Sequence, residues 1–387
     1  MSWAIHSQPP SVNDTHCSGA GLLPSTQPWS IVYKTLRQYA DNGAELPFPP
    51  KVDLRGKNVL ISGANSGLGE RAAYRFALWG ARVILACRDP PPHEPHPEKV
   101  IEDMIREAGG QIKPEQLEWW KVDYSSFDSV QALGQRWNES GRTLDILCNN
   151  AGLSTGKFVI TNDGVELTRS VNFLGHALLT LTVLPSMKKA AAPKIVNTVS
   201  CFHYGGRLDF SSLDYEKGQS RGIGGVRAYC DTKLLFMMWT KELQERLSRS
   251  DEYRHIIVNG VHPGYVSSNI WQDPNVQGLP WPLPLLQGLL LKARAIDTTQ
   301  GSLCILNGAL HPQFGFRPSE LQDHEPFQGE SAQRGGNYID RDTAKVPRPE
   351  VEDVLARSRL WQRTLEDIKA DKRGLGKDVP GHLTGLD

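Results

Sequence analysis

Four side chains could act on one oxygen atom. Tyr229 and Lys233 stand four apart in a segment with helical patterning, so they share one face of a helix. An ammonium beside a phenol favours the phenolate, so Lys233 is expected to lower the Tyr229 pKa and ready it for proton exchange with a carbonyl oxygen. Ser200 closes the preceding strand, where parallel sheets place ligand-contacting residues, and its hydroxyl could donate to the same oxygen. A slip of one residue would put Cys201 there instead, with weaker polarisation. Asn172 falls inside a helical run where an amide has no propensity advantage, so it is expected to face inward and hold a water or the lysine. A Tyr and a Lys at this spacing recur on many helices, and only their setting gives them weight.

That setting begins with Ser62-Gly63-Ala64-Asn65-Ser66-Gly67-Leu68-Gly69, which follows one strand-like run and opens a helical one. Gly63 suits a tight turn, Gly67 close backbone approach to a pyrophosphate and Gly69 close helix-on-strand packing, while the helix N-terminus offers unpaired N–H groups to the anion. About 20 residues after such glycines an acidic side chain usually accepts from the cofactor's ribose hydroxyls. Arg88 stands there instead. A guanidinium pairs bidentately with a phosphate dianion, so Arg88 favours NADP(H), the alternative being a solvated surface arginine. Asp123, just past the third strand, could accept from the adenine amino group or simply cap its loop.

The elements that must position these groups alternate from Lys57 onward between apolar strand-like runs and amphipathic helical runs. Strands are expected at 58–61, 82–86, 117–122, 144–148, 194–199 and 256–261, with a seventh at 337–339 after a surface insertion. Helices are expected at 68–79, 98–108, 127–137, 167–187 and 229–247. The fold class is therefore α/β, a doubly wound Rossmann-type parallel sheet of about seven strands with helices on both faces. Residues 1–55 read as an N-terminal extension, poorly ordered to residue 27 with a short docking helix at 29–39. Residues 56–340 read as one catalytic domain with a lid at about 265–292, and 341–387 as a C-terminal helix and tail.

Together these segments resemble the short-chain dehydrogenase/reductase family, in the branch of retinol-dehydrogenase-like and WW-domain-oxidoreductase-like enzymes. The resemblance covers roughly residues 56 to 340. It rests on Ser62 to Gly69, Asn149-Asn150-Ala151-Gly152, Ser200, Tyr229-Cys230-Asp231-Thr232-Lys233 and His262-Pro263-Gly264. It implies Tyr229 as acid or base, Ser200 as positioner of the oxygen, Lys233 as ribose-binding residue and Asn172 as keeper of a proton-relay water. It also implies a cofactor site of Gly63, Asn65, Ser66, Gly67, Leu68, Gly69, Arg88, Asp123, Asn150, Ala151, Gly152, Tyr229, Lys233, Pro263, Gly264 and Val266. Two departures stand out. The paired serines that many members carry are here Val199-Ser200 followed by Cys201, and the basic residue that often follows the glycines in retinol-type relatives is here Glu70, leaving Arg88 to carry the phosphate preference.

Composition narrows the partners. Lys plus Arg and Asp plus Glu are 43 each, so no net field would hold nucleic acid or an anionic membrane. The six cysteines, Cys17, Cys87, Cys148, Cys201, Cys230 and Cys304, lack metal-ligand spacing, and free thiols in a reducing compartment are expected. No charged leader with an apolar core opens the sequence, so a cytoplasmic, intracellular setting is expected. The apolar stretch Leu283 to Leu291 is too short to span a bilayer, and no transmembrane segment is expected. The lid carries Trp271, Trp281 and several leucines between prolines, which suits an apolar, polycyclic or aromatic substrate; a homodimer contact and a peripheral membrane patch are the alternatives. His203 and Tyr204 could face that substrate. The unusual extension and lid suggest a ketoreductase of specialised metabolism. A family-like protein without redox chemistry, acting as a binding module or shaping a substrate, is the reading from another class.

Overall fold

The strand sequences Asn58–Ser62 (β1), Arg82–Cys87 (β2), Ile146–Asn149 (β4), Lys194–Thr198 (β5) and Ile257–His262 (β6) are almost continuously buried, because helices cover both faces of the sheet. Leu117–Lys121 forms β3 at one edge. The computed structural model describes residues 45–92, 94–218, 225–267, 295–314, 335–375 and 383. The expected docking helix at 29–39 and nearly all of the expected lid lie outside them.

The sheet has eight strands in the order β3-β2-β1-β4-β5-β6-β7-β8. All neighbours pair in parallel except the last two, Tyr338–Asp340 (β7) and Thr343–Lys345 (β8), which form an antiparallel edge. The chain reverses its direction of travel between β1 and β4, and such a switch point opens a crevice at the carboxyl ends of the strands. Register sorts alternate residues between two cores. Leu60, Leu147 and Ile195 face Phe127–Glu139 (α3), Leu167–Met187 (α4) and Val226–Ser248 (α5); Val59, Ile61, Cys148 and Val196 face Gly67–Leu78 (α1), Pro97–Glu107 (α2) and Thr298–Leu310 (α6).

Three features depart from the sequence reading. The insertion expected before the seventh strand contains α6, buried on nearly every side and capped by Asp297, whose carboxylate accepts from the Gln300 N–H at 2.7 Å. A helix buried all round has no polar stripe, so periodicity did not reveal it. Strand β8 is only three residues long, too short for alternation to register. Within α4, residues Ser170–Leu174 form a π turn, a local widening that no spacing announces. By length and composition α4 could cross a bilayer, yet 94% of its most apolar window is buried against the sheet and its neighbouring helices.

The C-terminal segment is bound into this core. Helix Val354–Asp367 (α7) stacks Trp361 on Trp239 of α5 at 5.9 Å, and buried Arg357 pairs with Glu242 and Glu245 of the same helix.

Candidate active site

A cavity of about 1000 Å³ opens at the carboxyl ends of β1, β2, β4, β5 and β6. It brings together Gly63, Asn65, Ser66, Gly67, Leu68, Arg88, Asp123, Asn150, Ala151, Gly152, Ser200, Tyr229, Lys233, Pro263, Gly264 and Val266. Gly69 and Asn172, both expected at the site, lie behind its wall.

At one end the wall is made of backbone. Gly63 and Gly67 take φ of +64° and +63°, which favour glycine. A Cβ on Gly63 would lie 2.9 Å from the Ala151 Cα, whereas one on Gly67 would meet nothing within 4 Å, so Gly67 presents bare backbone to open space. A Cβ on Gly69 would collide with the Gly63 carbonyl, which makes Gly69 a packing residue. The segment after β4 braces the turn: the Ser62 hydroxyl accepts from the Asn150 and Ala151 N–H groups at 2.8 and 2.9 Å, and the Asn150 amide donates to the Ser62 carbonyl at 3.0 Å. This bare turn at a helix N-terminus, with a long cavity beside it, fits a dinucleotide. Arg88 lies at this end and pairs with Glu94 at 2.7 Å. Asp123 also lines it, while one of its oxygens accepts from both the Ser125 N–H and hydroxyl, so the loop-cap alternative holds in this structure.

At the other end titratable side chains are buried. Tyr229 and Lys233 descend the same face of α5, with the ammonium nitrogen 5.4 Å from the phenol ring centre. Lys233 Nζ donates to the Thr198 carbonyl at 2.7 Å. Burial holds its pKa down to about 7. Burial also pushes the Tyr229 phenol well up, and a hydrogen bond with Ser200 offsets only part of this. The expected lowering of the Tyr229 pKa by Lys233 is therefore not the state of the free protein: desolvation penalises both charged forms and outweighs their attraction across the gap.

Of Ser200 and Cys201, Ser200 is the one placed at the cavity. It lines the cavity and its hydroxyl accepts from the Phe202 N–H at 3.2 Å, whereas Cys201 points into the core with no exposure. Asn172 lies in the π turn, and its amide accepts from the Leu153 N–H and donates to the Leu153 carbonyl, both at 2.8 Å, while Lys233 Nζ donates instead to Thr198. Asn172 thereby fixes the wall after Gly152. His203 and Tyr204 do not face the cavity. His203 donates from Nδ1 to the Ser200 carbonyl at 2.7 Å and accepts at Nε2 from the Arg348 N–H at 3.2 Å, and the Tyr204 hydroxyl donates to the Val346 carbonyl. Both tie the loop after Ser200 to the C-terminal segment, a role that required long-range contacts to see.

The cavity has further lining residues that sequence reasoning missed. Glu94 sits in a proline-rich loop without any recognised spacing. His262, seen only as part of a motif, is buried at the cavity wall with its pKa pushed down to about 4 by burial, and neither ring nitrogen meets a partner among the described residues. Leu153, Val159, Ile160 and Phe202 add apolar surface to the lining, and Phe202 stands beside Tyr229 with their ring centres 5.8 Å apart.

Comparison with known proteins agrees with this architecture. The family described as short chain dehydrogenase matches residues 57–208. Retinol dehydrogenase 13 of Homo sapiens is 31% identical over 326 residues, which cover 84% of this chain and 88% of that protein. Retinol dehydrogenase 12 of Homo sapiens is 36% identical over 265 residues, 68% of this chain and 78% of that one. A crystal structure of a protein from Mycobacterium Paratuberculosis superposes with a TM-score of 0.58 at 23% identity, covering 83% of this chain and 96% of its own, a likeness of fold. With a Rossmann-type sheet, a bare glycine turn and relatives matched along most of their length, the chain belongs to the short-chain dehydrogenase/reductase family of nicotinamide-dependent oxidoreductases, in its retinol-dehydrogenase-like branch.

Proposed function

We propose that the protein is an NADP(H)-dependent oxidoreductase that interconverts a carbonyl and a hydroxyl on a hydrophobic small molecule, with Tyr229 exchanging the proton. The observation that carries this reading is a single cavity with a glycine turn at one end and Ser200, Tyr229 and Lys233 at the other. The glycine turn and Arg88 would hold the pyrophosphate and 2'-phosphate, and Lys233 the nicotinamide ribose. Bound there, the nicotinamide supplies or takes up the hydride.

The chain's own groups handle the oxygen and its proton. Ser200 donates to the substrate oxygen and orients it. Tyr229, held protonated by burial, gives its proton to that oxygen in carbonyl reduction and regains one afterwards; in alcohol oxidation it accepts. Lys233 supports the phenolate that forms once a cofactor and substrate complete the site. Asn172 acts indirectly, by fixing the Leu153 backbone. Leu153, Val159, Ile160 and Phe202 support an apolar substrate, as do relatives named for retinol.

Incubation with stereospecifically deuterated NADPH and a panel of apolar ketones and aldehydes tests the reaction class. Deuterium on the former carbonyl carbon is expected in the product. Conversion without label and without net cofactor consumption would favour the non-redox reading. Arg88→Asp is expected to weaken NADPH binding at least tenfold, and tighter NADH than NADPH binding by the unaltered protein would sink the cofactor assignment.

A further inference from the structure

The end of the cavity that would receive the adenosine ribose carries opposing charges. Arg88 Nη2 lies 2.7 Å from Glu94 Oε1, and both side chains line the cavity. The Asn65 amide, in the glycine turn, reaches the other Glu94 oxygen at 3.5 Å and the Pro95 carbonyl at 3.3 Å. Asp123 adds a second carboxylate to the same wall. Lys121, the nearby cation on β3, is already paired with Asp89. The guanidinium is thus paired with one carboxylate on a wall that carries a second, and the approach of a phosphate dianion to Arg88 is opposed unless Glu94 withdraws.

Glu94 is the one that has to withdraw, because it holds the guanidinium. Asp123 is fixed by two hydrogen bonds from Ser125, whereas Glu94 reaches inward from the loop between β2 and α2. Prolines at 90, 91, 92, 95 and 97 restrict the backbone of that loop, so its side chain is held near Arg88 while remaining partly exposed. Dinucleotide folds commonly place a carboxylate at the end of the second strand to accept from a free ribose 2'-hydroxyl; Arg88 holds that place here, and Glu94, paired with it, brings a carboxylate to the same wall.

We propose that Glu94 is a specificity-determining residue that opposes Arg88: its carboxylate occupies the guanidinium where a 2'-phosphate would bind, and accepts from the 2'-hydroxyl when that phosphate is absent. The inference rests on the reading of Arg88 as the phosphate partner. NADP(H) must displace Glu94 before Arg88 can pair with the phosphate. NAD(H) leaves the ion pair in place and donates a hydrogen bond from its 2'-hydroxyl to the carboxylate. The two cofactors therefore respond to the loss of this carboxylate with opposite signs.

The test is a fluorescence titration of NADPH and NADH against the full-length protein, Glu94→Gln and Arg88→Ala, without substrate. Glu94→Gln is expected to tighten NADPH about three- to tenfold and weaken NADH by a similar factor, with larger changes at low salt. Movement of both cofactors in the same direction, or an unchanged ratio, would overturn the role of Glu94. Arg88→Ala separates the two levels. If it weakens NADPH while Glu94→Gln leaves the ratio unchanged, only the Glu94 inference fails; if it leaves NADPH unaffected, the phosphate role of Arg88 fails first and the inference with it.

Discussion

The glycine turn and the Tyr229 end of the cavity are made from different materials. At the glycine turn the wall is backbone, shaped by φ angles and by the absence of Cβ atoms, and its charged groups Arg88 and Glu94 reach partly into solvent. At the far end the working groups are side chains almost fully buried, and their protonation is governed by desolvation. The contrast teaches that the bare backbone of the glycine turn can receive a pyrophosphate without reorganising, whereas Arg88 beside it is already paired with Glu94. The second end is unfinished until ligands fill it, because a buried lysine and a buried phenol each resist charging alone.

The sharpest way to break this comparison is to remove the buried proton. Tyr229→Phe is expected to lower turnover by about 10²- to 10⁴-fold while leaving nucleotide binding and the thermal midpoint near those of the unaltered protein. Steady-state rates beside a melting curve check this, and near-normal turnover would remove Tyr229 from its role.

A second measurement addresses desolvation directly. Lys233 titrates near 7 in the folded protein and near 10.5 when exposed, so between those values the unfolded chain binds a proton that the native state lacks. Its contribution to stability therefore rises with pH above 7, and below 7 the full cost of burying the charge is present. Thiols such as Cys148 and Cys304, whose pKa burial raises, act in the opposite sense above pH 9, so a difference is required. The stability of the cofactor-free protein minus that of Lys233→Met should grow by roughly 2 kcal/mol between pH 7 and 9 in urea melts. A flat difference would show that the lysine is not held neutral.

At the backbone end the expected effects are smaller and divide between two glycines. Gly69→Ala drives a Cβ into the Gly63 carbonyl and should cost about 1 to 3 kcal/mol of stability. Gly67→Ala meets open space and pays mainly for its positive φ, about 1 kcal/mol, yet should weaken nucleotide binding more than its stability loss explains. Melting and NADPH titration of both variants would distinguish packing from ligand approach, and equal effects on binding would erase the distinction.

Much of this was legible in the chain because the signals are local. The glycine spacing, the runs of buried strand and the four-residue step from Tyr229 to Lys233 depend on backbone geometry and burial pattern, and the sheet followed nearly to the residue. Helix α6 was not legible, since its apolar residues face cores on several sides, and neither was the π turn around Asn172. The partners of His203, 145 residues away at Arg348, and the clamp of Asn172 on Leu153 likewise carry no mark in sequence.

The sequence by itself determined a doubly wound α/β sheet, the glycine turn at its switch point and the set of residue types available for proton exchange. Tertiary structure decided the rest: that Ser200 and not Cys201 reaches the cavity, that Glu94 sits on Arg88, and that burial rather than the Lys233 charge governs Tyr229 in the free protein. The physical reason is range. Backbone preference and hydrophobic periodicity act between neighbours along the chain, whereas desolvation and ion pairing depend on what the fold brings close from elsewhere.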